Sequence, residues 1–267
     1  MTTPQLDRIY AGGGDDTIIA STGLDIYDGG LGVDLVDFSG LTTEAGPTGL
    51  VGLVFLSEVP DGFHPSEDDG FAFFVGNGML EEYASAEPIS IEHMIGTDYD
   101  DRLWVQGAGE TVTLEGGAGN DSLDSGLSSA VLMGGPGNDI LFAPSQLNAP
   151  DAVGHDTVDG GEGDDIIVGG AGNDLITGGP GADRFIFLSF ADEGQDTITD
   201  FDDSADTVTL FYQQGDAAPD VADLLSQTSA GAVLSYGISN TVLLDGVQMA
   251  ELDVSVFVIE EYPVFPA

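Results

Sequence analysis

Large apolar residues recur every nine positions through two stretches of this chain. In "GGEGDDIIVGGAGNDLITGGPGADRFIF" (160–187), Ile167, Ile176 and Phe185 each take the eighth place of a nine-residue unit. The sixth place is Asp165, Asp174 or Asp183. The same frame fits twelve units, starting at Ala11, Ala20, Gly29, Gly96, Val105, Gly116, Ser125, Gly134, Asp151, Gly160, Gly169 and Gly178. Place eight is apolar in all twelve: Ile18, Tyr27, Val36, Leu103, Val112, Leu123, Leu132, Leu141, Val158, Ile167, Ile176 and Phe185. Place six is Asp in ten, the exceptions being Glu110 and Ala130. A helix would need apolar residues every three or four places, and each interior glycine would cost it about 1 kcal/mol. A short strand with one inward residue, followed by a six-residue turn, satisfies the period. Glycine suits such a turn because it reaches positive φ and lets backbones approach closely.

Charge changes the picture. Forty-eight acidic residues face three basic ones, Arg8, Arg102 and Arg184, for a net charge of −45 over 267 residues. Self-repulsion of that size opposes compaction. Nucleic acid and anionic membranes are poor partners, because nothing is available to neutralise phosphates. Multivalent cations are the partners that the charge calls for. The 42% apolar content suffices for a core. The absence of cysteine rules out disulfides and zinc–thiolate sites. The apolar run "GLVGLVFL" (49–56) is far too short for a membrane span.

These residues resemble the RTX (hemolysin-type) nonapeptide family, whose pattern is G-G-x-G-x-D-x-U-x with U large and apolar. The resemblance implies an all-β fold: a parallel β-roll, or right-handed β-solenoid, with two units per coil and calcium between stacked turns. It implies carboxylate ligands at Asp16, Asp34, Asp101, Asp121, Asp139, Asp156, Asp165, Asp174 and Asp183, with Asp196 after the repeats. It further implies turn ligands, largely carbonyls, at Gly12, Gly14, Gly29, Leu31, Thr97, Tyr99, Gly116, Gly117, Ala118, Gly119, Gly134, Gly135, Pro136 and Gly137. The same holds for Gly154, Gly160, Gly161, Glu162, Gly163, Gly169, Gly170, Ala171, Gly172, Gly178 and Pro180. Hard oxygen ligands of this kind suit Ca²⁺, whereas Mg²⁺ would demand a tighter octahedron and retained water.

If alternate units share an edge, the later loops sort into two sets. One set ends in Asp101, Asp121, Asp139, Asp165 and Asp183, and four of its five loops begin with paired glycines. The other ends in Glu110, Ala130, Asp156 and Asp174, and only the last follows the pattern well. Sites are expected between successive members of the first set, between Asp16 and Asp34, between Asp156 and Asp174, and between Asp174 and Asp196. That makes roughly seven ions. Ala130 is expected to leave a gap.

Residues 38–95 interrupt the repeats and read as extra strands and long loops on the same roll, which runs over 1–187. The segment "ISIEHMIGTDYDDRL" resembles the strand that restarts RTX arrays. Residues 143–150, "APSQLNAP", read as a surface loop. The tail 188–267, with "DTITDFDD", resembles the family's β-sandwich-like C-terminal cap and secretion region. Solenoids need such an atypical terminal cap. The resemblance implies export by type I secretion machinery and an extracellular location. The N-terminal stretch "MTTPQLDRIYAGGGDD" lacks the features of a Sec signal peptide.

With the first unit at Ala11, no catalytic domain is expected ahead of the repeats. H-E-x-x-H and G-x-S-x-G are absent. His64, His93 and His155 read as surface or turn residues, and Trp104, Tyr10, Tyr27 and Tyr99 as packing residues. Calcium-bound aspartates would be poor acids, since a metal holds them ionised. The favoured expectation is a non-enzymatic, secreted calcium-binding protein that folds on export, with a structural, adhesive or surface-associated role. Cell surface, polysaccharide or self-association would supply its further partners. The alternative is an accessory carbohydrate-binding module or enzyme that uses the 38–95 insert.

Overall fold

A computed structural model describes residues 8–20, 26–40, 50–56, 72–75, 91–107, 111–126, 129–143, 155–191, 193–216, 218–237 and 239–262. Within these, short parallel strands alternate between two facing sheets. The nine-stranded sheet runs, in spatial order, Phe257–Glu261, Thr207–Tyr212, Arg184–Leu188, Ile166–Val168, Ile140–Phe142, Ser122–Asp124, Arg102–Gly107, Leu50–Leu56 and Ala72–Val75. The eleven-stranded sheet runs Leu225–Gln227, Gly231–Tyr236, Asn240–Asp245, Gln195–Ile198, Leu175–Thr177, Thr157–Glu162, Ala130–Pro136, Val112–Glu115, His93–Ile95, Leu35–Asp37 and Thr17–Ile19. Arg8–Gly13 and Ile26–Leu31 pair parallel to each other as a separate ribbon. No helix among the described residues is long and apolar enough to cross a membrane.

The register repeats every two units. Leu123 lies beside Leu141 and Ile167 beside Phe185 in the nine-stranded sheet, each pair 18 positions apart. Val158 lies beside Ile176 in the other sheet, also 18 apart. Between Leu141 and Ile167 the spacing is 26, eight more than in those pairs, yet the two strands keep the same register. A strand–turn unit of nine therefore makes half a coil, and the longer spacing leaves the register undisturbed.

Alternation within each strand sends place eight inward. All twelve place-eight residues are buried. Tyr27 meets Phe38 edge to face, with ring centroids 5.7 Å apart. Tyr10, expected to pack, is instead 52% exposed on the first ribbon. Each 18-residue coil thus contributes two place-eight side chains to the core, each worth about 1.5–3 kcal/mol. That is little apolar burial for so much ordered backbone.

The insert adds two strands to the nine-stranded sheet: Leu50–Leu56, parallel to Arg102–Gly107, and Ala72–Val75, antiparallel to it in turn. The tail extends both sheets. Asn240–Asp245 pairs parallel with Gln195–Ile198 and antiparallel with Gly231–Tyr236, while Phe257–Glu261 pairs parallel with Thr207–Tyr212. Its buried residues, among them Ile198, Val208, Leu234, Leu244 and Phe257, share one core with the roll.

Candidate metal centre

The turn entering each strand ends in its place-six residue, so stacking the coils files these residues along two edges. On the edge of the nine-stranded sheet, the backbone N–H of each aspartate donates to Oδ1 of the next. Asp101 bonds to Asp121 at 2.7 Å, Asp121 to Asp139 at 2.7 Å, Asp139 to Asp165 at 2.8 Å, and Asp165 to Asp183 at 2.9 Å. Asp183 continues to Asp206 at 2.9 Å. On the other edge, Asp156 donates to Asp174 and Asp174 to Asp196, at 2.9 and 3.0 Å. Asp16 and Asp34 are linked in the same way at 2.9 Å. Their turns lead into Thr17–Ile19 and Leu35–Asp37, so they file with Asp156 and Asp174 on the edge of the eleven-stranded sheet.

Oδ2 of Asp16, Asp34, Asp121, Asp139, Asp165, Asp174, Asp183 and Asp196 is buried without a hydrogen-bond partner. Burial pushes the carboxyls of Asp139, Asp156 and Asp165 up to about 6. It pushes Asp121, Asp174 and Asp183 to about 7 and Asp196 to about 9, with neighbouring carboxylates adding to the rise. Successive coils lie about 5 Å apart. At an effective dielectric of 20, two unit charges at that distance repel by about 3 kcal/mol. His93 Nε2 meets Glu115 Oε1 at 2.6 Å and Arg184 Nη2 meets Glu260 Oε2 at 3.6 Å, both outside the two files. Buried, like-charged carboxylates with an orphaned oxygen fit a cation and little else.

The turns supply further oxygen. Gly135, at place two, has φ +104, and a Cβ there would meet the carbonyl of Gly117 in the coil before. Carbonyls at places one and three each accept one N–H from the preceding coil. Gly117 donates to Gly134 at 3.2 Å, Gly119 to Pro136 at 2.9 Å, Gly137 to Glu162 at 2.7 Å and Gly163 to Pro180 at 3.0 Å. On the other edge Gly14 donates to Leu31 at 2.6 Å. A carbonyl oxygen has two lone pairs, so one remains for a metal. No group of three or more His, Cys, Asp or Glu side chains that could hold a metal occurs among the described residues. A cation here would take most of its ligands from carbonyls, as hard, flexible Ca²⁺ coordination allows.

The turns at the array ends differ. Asp101 is held by its own turn, accepting from the N–H of Thr97 at 2.5 Å and from its hydroxyl at 3.0 Å, while Tyr99 N–H donates to that hydroxyl at 3.2 Å. Gly154 and Glu110 lie outside the described residues.

Several members of the files escaped the sequence pattern. Oε2 of Glu92 accepts from Asp34 N–H at 2.7 Å, standing where a place-six aspartate would. Met94, two residues on, is buried as a place-eight residue would be. Asp206 closes the other file, and both its oxygens accept N–H groups, from Asp183 and Asp202. The motif "DTV" at 206–208 matches "DTV" at 156–158 and was the available signal. Asp200 accepts from Gly178 and Gly179 at 3.0 and 2.8 Å, capping the last glycine turn.

A second, exposed ladder runs through place five. Asn120 N–H bonds to Asp100, Asn138 to Asn120, Asp164 to Asn138 and Ala182 to Asp164, at 2.8–3.0 Å. On the other edge His155 joins it, its Nδ1 accepting from Asn173 N–H at 2.9 Å.

At the junction with the tail, Glu193 is buried. Its Oε2 accepts from Leu188 N–H at 2.7 Å and from the Tyr236 hydroxyl at 3.0 Å. Burial raises its carboxyl to about 8. Burial and the nearby carboxylates also raise Tyr236.

A family model, the RTX calcium-binding nonapeptide repeat, matches in four copies, over residues 5–36, 95–129, 113–141 and 153–185. It is a repeat family and carries no catalytic domain. A search of curated protein sequences finds no match. Among solved structures, the chain is similar to an extracellular lipase of Serratia marcescens, at 17% identity and a TM-score of 0.30. That alignment covers 95% of this chain and 38% of the lipase. It is also similar to a subunit of the Azotobacter vinelandii mannuronan C5-epimerase, at 25% identity and a TM-score of 0.28, over 60% of this chain and 78% of that one. The four matched stretches, with their stacked parallel strands, are thus RTX calcium-binding nonapeptide repeats built as a β-roll.

Proposed function

We propose that this is a secreted protein that folds on reaching calcium outside the cell and serves a structural, adhesive or surface-associated role without catalysis. The observation that carries this reading is the pair of carboxylate files, in which eight aspartates bury an Oδ2 without a hydrogen-bond partner. Bound ions would neutralise the files and bridge successive coils. Extracellular calcium modules bind at about 10⁻⁴–10⁻³ M. If each of roughly seven sites stands about tenfold above its Kd, each adds about 1.4 kcal/mol, about 10 in all. That equals the net stability of an ordinary domain. The tail would close the roll and carry the type I export address, the chain passing the channel while calcium-free and expanded.

Circular dichroism tests the reading. In EGTA the chain should be largely disordered, and calcium should restore a β signal cooperatively, which magnesium should not. A chain that is fully folded in EGTA would refute it.

A further inference from the structure

Place eight points into the core, so places seven and nine of each strand face outward. On the nine-stranded sheet the register sets these outward residues in two rows. Arg102, Ser122, Ile140, Ile166 and Arg184 are consecutive neighbours in one row. Asp124, Phe142, Val168 and Ile186 are consecutive in the other. The middle of this face is therefore apolar across both rows, and Ile140 and Phe142 are 47% and 39% exposed. Contiguous apolar side chains on an exposed face mark interaction sites, whereas single ones do not.

The ends of the stripe are charged, and each end carries both signs. Exposed Arg102 and half-buried Asp124 stand at one end. At the other, Arg184 Nε donates to Thr209 Oγ1 at 2.9 Å, and its Nη2 lies 3.6 Å from Oε2 of Glu260. Val258 continues the face beside Thr209, with Glu260 two residues on. Two of the chain's three basic residues thus lie on one face of a molecule with 48 acids. A two-fold rotation about an axis along the strands reverses the order of the coils. It lays one apolar stripe on another, with Arg102 of one copy toward the Glu260 end of the other and Asp124 toward Arg184. A surface that matches itself under such a rotation has what an isologous interface requires.

We propose that the outward face of the nine-stranded sheet is the interface of a symmetric dimer, its occupant a second copy of this chain. The apolar middle supplies the burial, and the charged ends fix the register. Each copy carries a charge of −45. At about 0.15 M salt, however, exposed charges more than about 8 Å apart are largely screened, so the groups at the interface decide. The inference rests on the calcium reading above only in that the roll must be folded.

Sedimentation equilibrium of the full chain in saturating calcium, from about 1 to about 500 µM, reads the association. Circular dichroism checks the folding of each variant. The wild type should pass from monomer to dimer and no further. Ile140→Asp should raise the dimer Kd by about tenfold or more. Leu175→Asp, at a position equally exposed at 47% but on the eleven-stranded sheet, should leave it unchanged. Arg102→Glu and Glu260→Arg should each raise it by about threefold or more, and the double reversal should bring it back. A folded wild type that stays monomeric throughout would leave the stripe to a different kind of partner and overturn the proposal. So would a dimer indifferent to Ile140→Asp, assemblies larger than a dimer, or a double reversal that rescues nothing. A chain that stays unfolded in calcium would instead overturn the calcium reading, and this inference with it.

Discussion

The backbone N–H of Asp139 donates to Oδ1 of Asp165 at 2.8 Å, while Oδ2 of Asp165 is buried and bonded to nothing. Half of that carboxylate therefore ties one coil to the next, and the other half is left for something the chain does not contain. The relation recurs along both edges, so losing one aspartate should damage two coils.

Asp165→Ala should raise the calcium concentration at the folding midpoint severalfold, since it deletes a ladder acceptor and a carboxylate between two turns. Asp245→Ala, an exposed position on the tail hairpin, removes the same charge and should move the midpoint little. Titrations followed by circular dichroism compare them. Equal shifts would mean that bulk charge, not the file, governs calcium response.

Acid should partly replace calcium. Burial raises the carboxyls of Asp121, Asp139, Asp165, Asp174 and Asp183 to about 6–7 in the folded chain, against an ordinary value of 3.8. Between those values the folded chain binds more protons than the unfolded one, so metal-free stability rises as pH falls through about 7 and is lost as pH climbs back. In EGTA, β signal should grow from about pH 8 to about pH 5. Calcium competes with the same protons, so its midpoint should worsen over that window. A metal-free spectrum that ignores pH would contradict this.

Gly135→Ala should destabilise the calcium-loaded protein by more than the roughly 1–3 kcal/mol of a non-glycine residue at positive φ, because its Cβ also meets the Gly117 carbonyl. Gly215→Ala is the control: φ is +94 there, with nothing within 4 Å of the added atom. Urea unfolding in saturating calcium separates strain from contact, and similar losses at both sites would deny the close approach.

Removing residues 188–267 should leave the array aggregating or binding calcium weakly, since Phe185 and Phe187 are buried in the layer next to the tail. The milder Asp200→Ala frees the N–H groups of Gly178 and Gly179 and should cost about 2 kcal/mol. Fusing the tail behind an unrelated slow-folding passenger should bring that passenger into the medium of cells carrying a matching type I channel. Escape of the tailless passenger to the same extent would refute the export role.

Much of this was legible in the residue order. A nine-residue period with one apolar place leaves only a short strand and a turn as solutions, which assigns Leu123, Leu141 and Phe185 to the core, where they are buried. The step of 18 between coils was what the resemblance to the RTX family implied, and the strand register has it. Repetition makes each local preference vote many times for one answer.

Tertiary structure decided what the period does not encode. Which edge a turn joins depends on how many half-coils separate it from the next, and the long insert hides that count. Asp16 and Asp34 consequently file with Asp174, and Glu92, which no aspartate pattern marks, receives the N–H of Asp34. The place-five ladder through Asn120 and Asn138 was equally silent, because a variable place in the motif becomes a ladder only once coils stack in register. Period is a property of neighbours along the chain and could be read there. Edge, partner and orphaned oxygen belong to neighbours 18 or more residues apart, and only the stacked coils bring those together.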